Sequence, residues 1–341
     1  MSNIRTQIDG HTGRIILDRP KALNALTQSM CEDMTKALLL WKDDPAIHHV
    51  LVEGEGDRAF CAGGDVVLLH DSGKAGDSRA EDFWTTEYKL NVLIHEYPKP
   101  YIALIDGIVM GGGVGLSVHG DTRVAGDTTL FAMPETGIGY FPDVGGTYFL
   151  PRLGEAVGKW LGLTGARLGP ADCFHLGIAT HVVPTARHEE MKLALAQSED
   201  VESTLADFHV GPDGKFELPN GIDAFLEADV PAILAALDAN GSEWAQAQAE
   251  SLRKKSPLAL AVTLEALRRG RNSEGLREAI DRELDVSVNF LKTQDFYEGI
   301  RAQLIDKDRN PSWSHGFGEV TEDQIERLFR PSTAPLNFHT L

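Results

Sequence analysis

The chain of 341 residues is poor in cysteine, with Cys31, Cys61 and Cys173 and no CxxC pair. That excludes a disulfide framework and fits a reducing compartment. Cys61 reads as a small buried residue, since a nucleophilic thiol needs an activating neighbour. No apolar run nears the roughly 20 residues that cross a bilayer. The opening Met1-Ser2-Asn3-Ile4-Arg5 lacks the basic and apolar regions of a signal peptide, so the chain reads as cytoplasmic. Positive charge is in deficit: 32 Lys and Arg against 51 Asp and Glu leave a net charge of −19, which argues against nonspecific binding to nucleic acid or membrane. There is no GxGxxG after a strand and no GxxxxGK[ST], so a nucleotide-phosphate loop is unsupported. There is no HExxH, and the 12 histidines show no metal spacing. Gly115-Leu116-Ser117-Val118-His119-Gly120 misses a nucleophile elbow because its second glycine falls one residue late, so Ser117 and His119 read as helix residues.

What is present is the make-up of a globular enzyme: 42% hydrophobic and 24% charged residues, in a chain long enough for a large core. Residues 4–9 and 13–17 read as a hairpin around Asp9-Gly10. Met30, Met34, Ala37, Leu38 and Trp41 share one helix face behind a Thr27 N-cap. A strand at 49–53, a helix at 81–96 and a buried strand at 101–105 follow, and strand–helix alternation continues to Val183, which predicts helices packed around mainly parallel sheet. Beyond Pro184 the pattern turns helical. Residues 200–240 contain the turn Gly211-Pro212-Asp213-Gly214 and no strong strand. Leu276, Ile280, Leu284, Val288 and Leu291 mark a long amphipathic helix, and Phe296, Ile300 and Leu304 another. The tail 331–341 is expected to be ordered only at its edges.

Three segments carry chemistry: Phe60-Cys61-Ala62-Gly63-Gly64-Asp65, Met110-Gly111-Gly112-Gly113-Val114-Gly115 and Met133-Pro134-Glu135. The first two place glycines where a strand should give way to a helix. Glycine permits unusual dihedrals and close approach to a ligand, and the first N–H groups of a helix are unpaired. One N–H from each turn can converge on an oxygen that gains negative charge. The third segment adds a carboxylate, and an oxyanion hole beside a carboxylate is an acyl-transfer or enolate site. Asp143, eight residues after Glu135, supplies a second carboxylate in Phe141-Pro142-Asp143-Val144-Gly145-Gly146, and a pair in unlike surroundings can divide acid and base roles.

With Pro20-Lys21-Ala22-Leu23-Asn24-Ala25-Leu26, the run from Met133 to Gly146, and Glu298-Gly299-Ile300-Arg301-Ala302-Gln303-Leu304-Ile305-Asp306-Lys307-Asp308 before Pro311 and Trp313, these segments resemble the crotonase (enoyl-CoA hydratase/isomerase) superfamily, and within it the 3-hydroxyisobutyryl-CoA hydrolases. The resemblance spans residues 4–329. It implies an α/β crotonase-like spiral of ββα units, with residues 1–185 as the core that holds the acyl-CoA site and 186–341 as a helical region completing the same catalytic domain. It implies oxyanion donors at the backbone of Gly64 and Gly112, substrate contacts at Glu87, Gly112, Glu135 and Asp143, and coenzyme A contacts along Lys21-Ala22-Leu23 and Gly64-Asp65-Val66-Val67. Arg19, Lys21, Lys292, Arg301 and Lys307 are candidates to meet phosphate, which an acidic chain must supply locally. The hydratases add water with two glutamates. One matches Glu135; the other falls at Gly115, which has no acid–base group, while Asp143 replaces a hydratase glycine.

That exchange implies hydrolysis of a short 3-hydroxyacyl-CoA, with 3-hydroxyisobutyryl-CoA foremost, in valine breakdown. Glu135 acts as nucleophile through a mixed anhydride or as general base for water. No metal or redox cofactor is required, since CoA arrives with the substrate, and a homo-oligomer is compatible with the sequence. The rival readings are an enoyl-CoA hydratase or isomerase and a non-catalytic acyl-CoA-binding protein.

Overall fold

β1 (Ile4–Asp9) and β2 (Thr12–Leu17) pair antiparallel across Gly10 and His11, with Gly10 at φ 56°. From β2 onward the first sheet is parallel: β3 (His49–Gly54), β5 (Tyr101–Leu104), β7 (Thr122–Ala125) and β9 (His181–Val182) follow in order. Val50, Leu51 and Val52 are fully buried, the continuous apolar run expected of a parallel strand covered on both faces. A second sheet is made of three short parallel strands, β4 (Ala59–Cys61), β6 (Ile108–Met110) and β8 (Leu130–Ala132), with β6 in the middle. The structure is a computed structural model that describes residues 3–212 and 217–338.

Helix α1 (Gln28–Lys42) begins where Thr27 accepts from the Met30 N–H, and it buries the expected face of Met30, Met34, Ala37, Leu38 and Trp41. Helix α2 (Val66–Ala75) is capped by Asp65. Helix α3 (Arg79–His95) starts two residues before the expected position, because Asp77 and Ser72 side chains accept the N–H groups of Arg79 and Ala80. Its buried face carries Phe83, Trp84, Glu87, Tyr88 and Asn91. Helix α4 (Gly112–Ser117) is short and wholly buried. Ser117 lies in it and spends its hydroxyl on the Gly113 and Val114 carbonyls.

The C-terminal half is helical, and 200–240 holds helices Val201–Ala206 and Val230–Asn240. Asp213 and Gly214 of the expected turn lie outside the described residues. The amphipathic helix runs Leu276–Phe290. The next one, Gln294–Ile300, does not continue to Leu304 as the periodicity implied. Its backbone widens into a π-helix over Arg301–Ile305, which carries Leu304 off the core face to 40% exposure. The tail is tied more firmly than expected: Asp285 accepts the N–H groups of Ser332 and Thr333, and Asp281 that of Leu336, so residues 332–336 lie along the Leu276–Phe290 helix. One hydrophobic core joins both halves. Trp84 stacks on Tyr140 at 6.0 Å, and Tyr140 meets Phe290 at 5.3 Å and Phe296 at 5.7 Å.

The helices close in on the loop after Asp143 with little room to spare. A methyl group added at Gly270, in helix Pro257–Arg271, would lie 2.0 Å from the Thr147 carbonyl oxygen. Gly270→Ala should therefore destabilise the fold by about 1–3 kcal/mol, the range for overpacking. Urea unfolding measures this, and an unchanged midpoint would show that the helix can move away from Thr147 freely.

Candidate functional site

The three chemistry-bearing segments are the C-terminal extensions of the three strands of the small sheet. Cys61 pairs with Val109, and Met110 with Ala132, so Ala62-Gly63-Gly64, Gly111-Gly112 and Met133-Pro134-Glu135 leave the sheet side by side. Glycine is required at the middle turn. Gly111 sits at φ 49°, a methyl at Gly112 would lie 3.4 Å from the Gly63 carbonyl carbon and 2.5 Å from Glu87 Oε1, and one at Gly113 would lie 2.2 Å from the Cys61 carbonyl oxygen. The Gly112 N–H is the first of α4, where a helix offers no acceptor of its own. Gly64 immediately precedes the Asp65 cap of α2. The turns at 63–64 and 111–112 thus touch, each at the head of a helix.

A cavity of about 440 Å³ opens on these turns. Gly64, Gly112, Val66, Glu87, Glu135 and Asp143 line it, so six of the expected residues come together. Lys21, Ala22, Leu23, Asp65 and Val67 stand outside the lining. The Pro20–Ala22 turn still runs beside the glycines, with the Leu23 carbonyl accepting from Ala62 N–H and Leu26 N–H donating to Gly63. None of the phosphate candidates lines the cavity. Arg301 is committed to Glu298, Asp306 and Asp308, Lys292 to Asn289, and Arg19 to the Ala25 carbonyl. The cations that do line it, Arg167 and Lys255, were not singled out by the sequence, where nothing distinguishes them from other scattered charges. Cys61 is buried and its thiol is pushed up to about 12 by that burial, in keeping with an inert residue.

Asp143 is held by a constrained loop. Val144 has φ 52° and Gly145 φ 81°, and a β-branched residue in the left-handed region costs on the order of 1–3 kcal/mol. Two side chains fix this turn. His119 Nε2 lies 2.7 Å from the Val144 carbonyl, which only accepts, so that nitrogen carries the proton; burial pushes its pKa down to about 4 and keeps the ring neutral. Glu283, from the Leu276–Phe290 helix, accepts the Gly145 N–H at 2.7 Å, the Thr147 N–H at 3.0 Å and the Thr147 hydroxyl. Asp143 Oδ2 in turn accepts from the Tyr88 hydroxyl at 2.8 Å, with Tyr140 Oη at 3.3 Å. Tyr88, Tyr140, Glu283 and His119 were not expected as site residues; Glu283 reaches the loop from 138 positions away and Tyr88 from 55, contacts that only the fold reveals.

Room for a second hydratase-type carboxylate is absent. A methyl at Gly115 would lie 2.7 Å from Val144 Cβ and 2.9 Å from Asn91 Nδ2. Asn91, one turn beyond Glu87 on α3, and Val144 occupy that space.

Three carboxyl groups share the cavity, and Glu87 Oε1 and Glu135 Oε2 are buried without a hydrogen-bond partner among the described residues. Burial, and after it the Asp143 charge, push Glu87 and Glu135 well above the usual carboxylate range. Lys255 opposes this at Glu135. Asp143 is pushed up to about 6 by burial, with the Tyr88 hydrogen bond restraining it. In water-poor surroundings such a cluster sheds its protons stepwise rather than together. A carboxyl group that keeps its proton in the fold while the unfolded chain gives it up, near 4.5 for Glu87, lends most stability below that pH and loses it as pH rises. Wild-type stability should therefore carry a component that falls between about pH 5 and about pH 8, and Glu87→Gln should flatten the decline. Urea unfolding at both pH values tests this; equal slopes in the two proteins would mean that Glu87 ionises freely in the fold.

The enoyl-CoA hydratase/isomerase family model matches residues 12–329. Among curated proteins, the chain is 46% identical to the mitochondrial 3-hydroxyisobutyryl-CoA hydrolase of Xenopus tropicalis, over 94% of this chain and 86% of the relative. It is 43% identical to that of Homo sapiens, again over 94% and 86%. Among solved structures, it resembles a carnitinyl-CoA dehydratase from Mycobacterium thermoresistibile at a TM-score of 0.94 and 40% identity, covering 99% of each chain. It also resembles an enoyl-CoA hydratase from Rhodobacter sphaeroides at a TM-score of 0.87 and 42% identity, covering 97% and 98%. A matched family model over nearly the whole length, on a fold whose small sheet aims two glycine turns and a glutamate into one cavity, leads to one conclusion: this chain belongs to the enoyl-CoA hydratase/isomerase (crotonase) superfamily and, within it, to the 3-hydroxyisobutyryl-CoA hydrolase family.

Proposed function

We propose that the protein hydrolyses a short 3-hydroxyacyl-CoA thioester, 3-hydroxyisobutyryl-CoA before others, to the hydroxy acid and free CoA. The observation that carries this reading is the distribution of carboxylates: Glu135 and Asp143 line the cavity, while the hydratase position is Gly115, walled in by Asn91 and Val144. The names of the curated relatives support the same reading. The thioester oxygen would lie between the N–H groups of Gly64 and Gly112, where attack turns it into an oxyanion; one such donor is worth about 10²–10³ in rate. Glu135 forms a mixed anhydride with the acyl carbon, or it takes a proton from the water that attacks that carbon. Either way the C–S bond breaks, the sulfur leaves as CoA thiol with one proton, and water supplies the new oxygen of the acid. Asp143 orients the substrate hydroxyl or the water and assists the proton transfer.

The helical region after residue 185 is assigned to the same catalytic unit, because Lys255, Phe296 and Gln303 line the cavity beside Glu135. The compartment is read as cytoplasmic, supported by three buried free thiols, although the curated relatives carry a mitochondrial label. A place in valine breakdown rests on the relatives' substrate alone. No redox group or metal enters the reaction as written.

A second reading, an enoyl-CoA hydratase or isomerase, draws on the name of the similar Rhodobacter sphaeroides structure, an enoyl-CoA hydratase. Glu135→Gln should lower turnover by at least about 10²-fold without unfolding the protein. A folded variant that works normally would remove Glu135 from the mechanism. Wild type given 3-hydroxyisobutyryl-CoA should release thiol, and given crotonyl-CoA should hydrate it poorly; thiol trapping and loss of enoyl absorbance read the two reactions. Efficient hydration without thiol release would overturn the hydrolase in favour of the hydratase, and binding with neither reaction would favour an acyl-CoA-binding protein.

A further inference from the structure

The hydroxyl of Ser287 sits at the centre of the hydrogen bonds around Asp143. It lies one helical turn after Glu283, is fully buried, and donates to the Glu283 carbonyl at 2.7 Å. Its single proton is committed there, so towards other groups it can only accept. Tyr140 Oη stands 2.6 Å from it and Tyr88 Oη 2.8 Å. Each phenol has one proton and two acceptors within reach, Ser287 Oγ and Asp143 Oδ2. Tyr140 is closer to Ser287 by a wide margin, 2.6 Å against 3.3 Å, whereas Tyr88 is 2.8 Å from both. Ser287 therefore competes with Asp143 for phenol protons and wins the one on Tyr140.

We infer that Ser287 is a positioning residue for the hydrolytic reaction: by drawing the Tyr140 proton to itself it leaves the Asp143 carboxylate only the Tyr88 donor, and so keeps Asp143 basic enough to accept a proton during turnover. The inference rests on the role proposed for Asp143. Its logic is that hydrogen bonds donated to an ionised carboxylate favour the charged form and weaken it as a base. The other charged or titratable groups packed around Asp143 are Glu87 and Tyr88 on α3, Glu135 and Tyr140 on its own loop, His119 behind Val144, and Glu283 on the facing helix. None of them has its hydrogen bonding to Asp143 changed by a substitution at 287 except through the two phenols.

Two substitutions should act in opposite directions. Ser287→Ala frees both phenols for Asp143, and the acid limb of the kcat/KM profile should move to lower pH by about half a unit or more. The plateau of kcat should fall by about 3- to 10-fold with KM little changed. Tyr140→Phe lets Ser287 recruit Tyr88 instead, so the acid limb should move to higher pH. In an Asp143→Asn background Ser287→Ala should have no further effect, because a residue that acts only through Asp143 loses its influence with it. Circular dichroism and urea unfolding establish that each variant is folded. Shifts of the same sign, an unmoved profile, or an undiminished effect of Ser287→Ala in the Asp143→Asn background would overturn the inference. If Asp143→Asn alone turned over like wild type, the role of Asp143 itself would fall; if it were slow and Ser287→Ala were normal, only the role of Ser287 would.

Discussion

The pairing of β4, β6 and β8 is the constraint on which the site depends. Three strands of three residues each are too short to stabilise much on their own, yet their parallel register decides where the chain goes next. Because parallel strands end at the same edge, the turns after Cys61 and Met110 and the segment after Ala132 are delivered to one place. The glycines then allow a spacing that no side chain would tolerate, with the added methyls at 112 and 113 falling inside contact distance of Glu87 and Cys61. A shift of one residue between β6 and its neighbours would separate the two glycine turns from each other and from Glu135.

Much of this was legible in the sequence, and the reason is that it is local. The glycine turns, the Pro134-Glu135 step, the α1 face and the hairpin each lie within a short stretch whose residues dictate their own geometry, and the resemblance of the whole ordered set to one family fixed their assembly. The site's support was not legible. Glu283 reads as one more acid on an amphipathic helix, and Ser287 as a small polar residue on it; only folding brings them to Gly145 and to the phenols of Tyr88 and Tyr140. Charge misled for a similar reason. Arg301 lies in a motif and looked available for phosphate, but three neighbouring carboxylates consume it, whereas Lys255 and Arg167 stand in the cavity without an ion pair among the described residues.

The site also departs from what a stable core would contain. Glu87, Glu135, Asp143 and Glu283 are all buried, each at a cost in desolvation that an apolar side chain would avoid. Glu283 recovers part of that cost through three donors, and burial still pushes it up to about 8. Glu87 and Glu135 each leave one oxygen without a hydrogen-bond partner among the described residues, which adds to the cost of burying them. The strained Val144 belongs with them: it is tolerated because His119 and Glu283 hold both sides of its peptide.

The clamp from Glu283 to Gly145 joins residues 138 positions apart in the chain. At a synthesis rate of about 5–20 residues per second, the loop bearing Asp143 emerges roughly 7–28 seconds before the helix that locks it. During that interval the left-handed turn at Val144 has the His119 contact but no partner from the Leu276–Phe290 helix, so only one side of its peptide is held. The small sheet and its glycine turns, by contrast, draw only on residues already made. The cavity wall is thus assembled in two stages during translation: the glycine turns come early, and the loop that carries Asp143 is locked only after the Leu276–Phe290 helix has been made.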